Sequence, residues 1–121
     1  MSSDKPSHRG SPYAQELISH LQPHCATHRT DPGEQLDLQV NGQSMCYLIL
    51  DGTVAIYRRS DDMMLSTARS PALFGLANLT DIYFTDYLRT VTPCLIGVLT
   101  TDRVAEIIKE NALWGLLSNH L

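Results

Sequence analysis

Apolar residues along this chain change their period twice. Tyr13, Leu17 and Leu21 lie four apart with Ala14 and Ile18 beside them, the spacing of one face of a short helix. Ser11-Pro12 provides its start, Ser as N-cap and Pro at the first helical position, and Pro23 stops it. From Ala26 to Thr101 the pattern shortens to strands. Leu36, Leu38 and Val40 alternate with Asp37, Gln39 and Asn41, as in a half-buried strand, and Asn41-Gly42 offers a turn. Cys46 to Leu50 and Thr53 to Arg58 are apolar and β-prone, with only Asp51-Gly52 between them. That arrangement predicts a β-hairpin, because both turn residues tolerate positive φ.

Met63 to Ala68 is a further strand, followed by a turn at Ser70-Pro71. Phe74-Gly75-Leu76-Ala77 reads as a short helical turn. Tyr83 to Thr92 and Cys94 to Leu99 form a strand pair around Pro93. Asp102 caps a helix with Val104, Ile107 and Ile108 on one face; Asn111 breaks it, and Leu113, Leu117 and Leu121 make a second helical stripe. The order is helix, many short strands, helix. It predicts a mainly β domain with flanking helices, an antiparallel β-roll or jelly roll. Residues 1–12 read as a flexible tail and 13–121 as the domain, with the roll over 26–101 and C-terminal helices over 102–121.

Composition narrows the function classes. The 121 residues suffice for one domain, and 43% hydrophobic with 18% charged residues fits a folded protein and argues against disorder. Nine Lys and Arg against thirteen Asp and Glu give a net charge of -4, so strong attraction to phosphate backbones or anionic membranes is not expected. No apolar run approaches the roughly 18 residues of a membrane span, and the polar start lacks a signal peptide's apolar stretch. A soluble cytoplasmic protein is expected. Cys25, Cys46 and Cys94 are scattered and odd in number, which argues against a disulfide framework or an iron–sulfur cluster. Cys46 and Cys94 read as small buried thiols.

Three segments together resemble a known family. Asp31-Pro32-Gly33-Glu34 precedes a strand; Tyr47-Leu48-Ile49-Leu50-Asp51-Gly52-Thr53-Val54 follows; Pro71-Ala72-Leu73-Phe74-Gly75-Leu76 comes about twenty residues later. Their order and spacing resemble the cyclic-nucleotide-binding domain of the catabolite activator protein (Crp/Fnr) family of transcription regulators. The likeness continues through Leu88-Arg89-Thr90-Val91-Thr92-Pro93-Cys94 and the helix after Asp102. It implies a non-catalytic sensory domain, with DNA contacted only by a helix-turn-helix outside this chain.

In that family the phosphate cassette opens Phe-Gly-Glu, Glu holding the ribose, and closes on an Arg that neutralises the cyclic phosphate. The matching positions here are Phe74, Gly75, Leu76, Ala77, Phe84 and Thr85. Phe74 and Gly75 agree, Leu76 replaces the Glu, and Phe84 or Thr85 stands where the Arg is expected; Arg89 aligns elsewhere. A hydrogen bond to a charged group contributes about 1.5–3 kcal/mol, and both such partners are replaced. Cyclic AMP is therefore not expected to bind in the usual mode. Leu113, Trp114, Leu117 and Leu121 are too apolar for an exposed helix: they either pack back on the roll or, because the family's dimer helix follows this region, form the candidate homodimer contact.

Other chemistry is weaker. A cupin-like barrel is the alternative, and Gly33, Gln39, Asn41, Met45 and Gly52 have the spacing of its metal motif. Gln, Asn and Met cannot replace two imidazoles and a carboxylate. His20, His24, Cys25 and His28 cluster, but Pro23 ends the helix before His24 shares a face with His20. Arg58, Arg59 and Arg69, with Asp61 and Asp62 nearby, read as a solvated hairpin tip. No metal, cofactor or catalytic residue is expected.

Overall fold

The computed structural model describes residues 12–76 and 86–111. Helix α1, Pro12–Leu21, is followed by a 3-10 turn, Gln22–His24. Among the described residues nine strands then run β1 Ala26–Thr30, β2 Gln35–Asp37, β3 Gln39–Val40, β4 Gln43–Asp51, β5 Thr53–Arg58, β6 Met63–Arg69, β7 Ala72–Phe74, β8 Tyr87–Thr90 and β9 Cys94–Thr100. Helix α2, Thr101–Glu110, follows directly. The strands form two antiparallel sheets. One has the order β1-β9-β4-β3 with β7 also on β4, the other β2-β8-β5-β6.

The sheets face each other across one apolar core, built from Leu36, Ile49, Val54, Ile56, Leu88 and Ile96 among others. A second core lies between the larger sheet and the helices, where Leu17, Leu21, Val104, Ile107 and Ile108 pack on Cys46 and Leu48. Strand β4 belongs to both. Tyr47 and Ile49 point toward the other sheet, whereas Cys46 and Leu48 point toward the helices. That double burial explains an unbroken apolar run where a half-exposed strand would alternate.

Two turn expectations are corrected. Asp51-Gly52 does not close a hairpin: β4 pairs with β9 and β7, while β5 pairs with β6 and β8. The hairpin turn requires positive φ at both central residues, and here Gly52 (φ +110) has it but Asp51 does not. Gly52 instead turns the chain from one sheet to the other. A Cβ there would stand 2.6 Å from Cys94 Sγ and 2.7 Å from the Pro93 carbonyl oxygen, so the two corners are stacked on each other. Pro93 likewise divides β8 and β9 between sheets rather than joining a pair. Tight hairpins form at Asn41-Gly42 (φ 53 and 78), where Val40 faces Gln43, and between β5 and β6.

Other elements shift locally. Leu36 to Val40 is not one strand: the chain crosses between sheets at buried Leu38, and Val40 is 43% exposed. Thr100, not Asp102, caps α2, because its hydroxyl accepts the Arg103 amide at 3.1 Å. Asp102 sits in the first turn, where its charge favours the helix N-terminus. Asn111 ends the helix as expected, its side-chain amide donating to the Ile107 carbonyl. Phe74 closes β7 instead of opening a helical turn, since Tyr47 on β4 pairs with it. Pro12, placed at the end of the expected tail, is the first residue of α1; residues 1–11, Tyr83–Thr85 and the stripe after Asn111 lie outside the described residues.

Candidate functional site

The cassette positions start where β7 ends. Strand alternation sends Phe74 toward the core between the sheets and Leu73 toward the helices. At Gly75 the backbone has φ +107, and a Cβ would run into the Met45 carbonyl oxygen and Cys46 Cα on β4. Glycine is needed there for the chain to lie against that strand. Leu76 then enters the other core. It is 2% exposed and packs in the cluster of Leu17, Leu21, Val104 and Ile107. The position where the family resemblance expects an acid thus helps seat the helices on the sheet. Ala77, Phe84 and Thr85 lie outside the described residues, as do Leu113, Trp114, Leu117 and Leu121.

Among the described residues the buried polar side chains are Thr30, Thr90 and Thr101. Thr90 Oγ1 donates to the Asp31 carbonyl at 2.6 Å and accepts the Glu34 amide at 2.9 Å, tying β8 to the loop before β2. Thr30 Oγ1 has no partner. At the margin, Tyr47 donates its hydroxyl to the Asp37 carbonyl at 2.6 Å. Burial, and secondarily the Asp37 charge, push its phenol above the ordinary value, so it remains a donor at neutral pH. The described part of the roll interior therefore offers hydroxyls and apolar surface to a ligand, and no cation.

Arg89 is on the outer face of the smaller sheet. Its guanidinium lies 5.8 Å from the Tyr87 ring centroid and 5.9 Å from that of Tyr57, and it donates to the Gly33 carbonyl at 2.9 Å and to Gln35 Oε1 at 3.2 Å. The two rings stack with centroids 5.4 Å apart and planes at 8°. Arg59 covers Tyr87 from 5.2 Å and pairs with Asp37 at 2.7 Å. Hydrogen bonds from Gln35 and then Arg59 hold the Asp37 carboxyl below the usual range. This cluster went unread in the sequence, although Tyr57-x-Arg59 and Tyr87-x-Arg89 share the two-residue spacing that puts side chains on one strand face.

The remaining clusters come apart. Arg58 pairs with Asp61 at 2.9 Å at the β5–β6 hairpin tip, while Arg69 stands at the far end of β6. Arg69 borders a polar cleft of about 510 Å³ lined also by Asp51, Thr53, Ser70, Pro71 and Thr92, where three turns meet. His24 Nδ1 lies 3.4 Å from Arg103, Cys25 Sγ donates to the Gln22 carbonyl, and His28 is exposed on β1. Among the described residues no three His, Cys, Asp or Glu side chains come close enough to hold a metal ion. Gln39 and Asn41 are exposed on β3 and its turn. No described helix is long and apolar enough to cross a membrane.

No protein-family model matches the chain, and no curated protein does. Solved structures do. The fold is the cyclic-nucleotide-binding type of β-roll found in transcription regulators. The c-di-GMP responsive global regulator CLP of Xanthomonas campestris superposes with a TM-score of 0.64 at 20% identity, over 78% of this chain and 48% of that one. The N-terminal domain of a Streptomyces coelicolor transcriptional regulator gives 0.63 at 19% identity, over 87% and 81%. A CooA double mutant from Carboxydothermus hydrogenoformans gives 0.64 at 14%, over 84% and 66%. This chain thus spans about half of CLP and about two thirds of CooA. At these identities the likeness establishes fold, and function has to be argued from the residues.

Proposed function

We propose that this chain is the non-catalytic sensory domain of a Crp/Fnr-like transcription regulator that does not take cyclic AMP in the family's usual way. The observation that carries the reading is Leu76. Leu76, which the resemblance aligns with the family's acid, is an aliphatic side chain buried on the helix side of the sheet. Neither Phe84 nor Thr85 carries a cation at the phosphate-binding position. The domain works in the cytoplasm without metal or cofactor, and DNA is contacted by another segment. Pairing through Leu113, Trp114, Leu117 and Leu121 belongs to the same reading, a two-fold contact in which both copies use one patch.

Calorimetric titration with cyclic AMP is the direct test. No saturable heat in the micromolar range is expected, and micromolar affinity overturns the ligand half of the proposal. The regulator half is tested by the reading frame past Leu121. A recognition helix encoded there supports it, and a catalytic domain overturns it.

A further inference from the structure

We propose that the polar cleft at one end of the roll binds a small zwitterion, a molecule carrying both a carboxylate and an ammonium group, such as a free amino acid. The cleft encloses about 510 Å³ where the turns at Gly52, Pro71 and Thr92 meet, within the roughly 300–1,000 Å³ of small-molecule sites. Arg69 lies opposite Thr53 in the β5–β6 pairing, so both side chains leave that sheet on one face. Asp51, the last residue of β4, comes from the other sheet. Charges of both signs therefore border one space. They do not neutralise each other, for neither side chain has a hydrogen bond or ion pair with any described residue.

The frame around these charges is fixed. The Gly52 amide donates to Ser70 Oγ at 3.2 Å and the Ser70 amide to the Gly52 carbonyl at 2.9 Å, while the Thr53 amide donates to Thr92 Oγ1 at 3.0 Å. These bonds clamp the three turns together and use up their amides, so a ligand is read by side chains. Arg69 offers a planar fork of N–H donors that matches a carboxylate. The Ser70 hydroxyl accepts from Gly52 and still has its own hydrogen to give. Asp51 is the counterpart for a cationic group. A phosphate dianion suits the cleft poorly, because the Asp51 carboxylate repels it and no amide of Gly52, Thr53 or Ser70 is left to hold it. Opposite charges on one ligand satisfy both ends. Both side chains are exposed, so each ionic contact is weak and a millimolar dissociation constant is expected. None of the described cassette residues lines the cleft, so its occupancy and the fate of cyclic AMP are separate questions.

Amide NMR titration of the whole chain tests this, with glycine, β-alanine, γ-aminobutyrate and ε-aminocaproate as probes whose charges stand progressively farther apart. We expect saturable shifts at the Gly52, Thr53 and Ser70 amides with at least one of them, and affinity about tenfold weaker for acetate or methylammonium alone. Arg69→Gln and Asp51→Asn should each weaken binding about tenfold with an unchanged melting temperature, since both side chains are exposed and unpaired in the fold. The comparison of acetate with the zwitterions needs no variant. Acetate binding as tightly as every zwitterion overturns the proposal, leaving a simple anion contact at Arg69. So does the absence of saturable shifts with all of these probes up to about 100 mM, or binding that neither substitution weakens.

Discussion

Gly75 shows how much a single hydrogen atom decides. Its φ of +107 disfavours any other residue, and the adjacent β4 backbone leaves no room for a methyl group. Gly75→Ala should cost about 2 kcal/mol or more, measured by urea unfolding, because strain and displacement add. The thiols give a second residue-scale prediction. Burial pushes Cys46 up to about 11, and burial also raises Cys25, which is less enclosed. A thiol whose folded pKa is raised stabilises the fold below its unfolded value near 8.5 and loses that contribution as pH climbs toward 11. Iodoacetamide at mildly alkaline pH should therefore label Cys25 first and Cys46 only on unfolding, followed by mass spectrometry. Asp37 works in the opposite sense. Its carboxyl is lowered, so what it contributes is present above about 3.9 and disappears as pH falls through the folded value. A carboxyl titration followed by NMR should place its midpoint below that of a free aspartate, and Arg59→Ala should move it upward.

The elements divide into those their own residues specify and those specified by remote partners. Helix α2 is of the first kind: Val104, Ile107 and Ile108 fall on one face at helical spacing, and that face is the buried one. Ile107→Ala should destabilise by about 2–5 kcal/mol, against less than about 0.5 for exposed Lys109→Ala, both read from chemical denaturation. Strand pairing is of the second kind. Asp51-Gly52 and Thr92-Pro93 each announce a turn, but a turn signal is local and says nothing about which sheet receives the next strand. That choice is made by burial: β4 needs cover on both faces, which the helices supply on one and the smaller sheet, to which β5 crosses, on the other, while β9 and β7 hold its edges. The order of elements and the roll could be read from the sequence, and the two hairpins drawn at Asp51-Gly52 and Pro93 could not. The cap at Thr100 was missed for a similar reason, since a residue ending a strand gives no sign that it also opens a helix.

At the scale of the whole molecule, the two cores on either side of the larger sheet account for an aliphatic residue at position 76. The sequence shows a Leu at position 76 where the resemblance expects Glu, but it does not show which way that side chain goes. The fold does: Gly75 turns the chain and Leu76 enters the helix-side core, 2% exposed, against α1 and α2. On the proposed reading, an acid introduced there is expected to create no ligand site. Leu76→Glu would place an unpaired carboxylate among Leu17, Leu21, Val104 and Ile107 while removing their packing partner. Burying a charge without a partner is among the few changes that cost a fold heavily. We expect a loss of about 3 kcal/mol or more in urea unfolding, with no gain of cyclic AMP binding by calorimetry. A Leu76→Glu protein as stable as the parent would show that this side chain can swing out of the core. Micromolar cyclic AMP affinity in that variant would show that it swings into the roll, and that the ligand function was one substitution away.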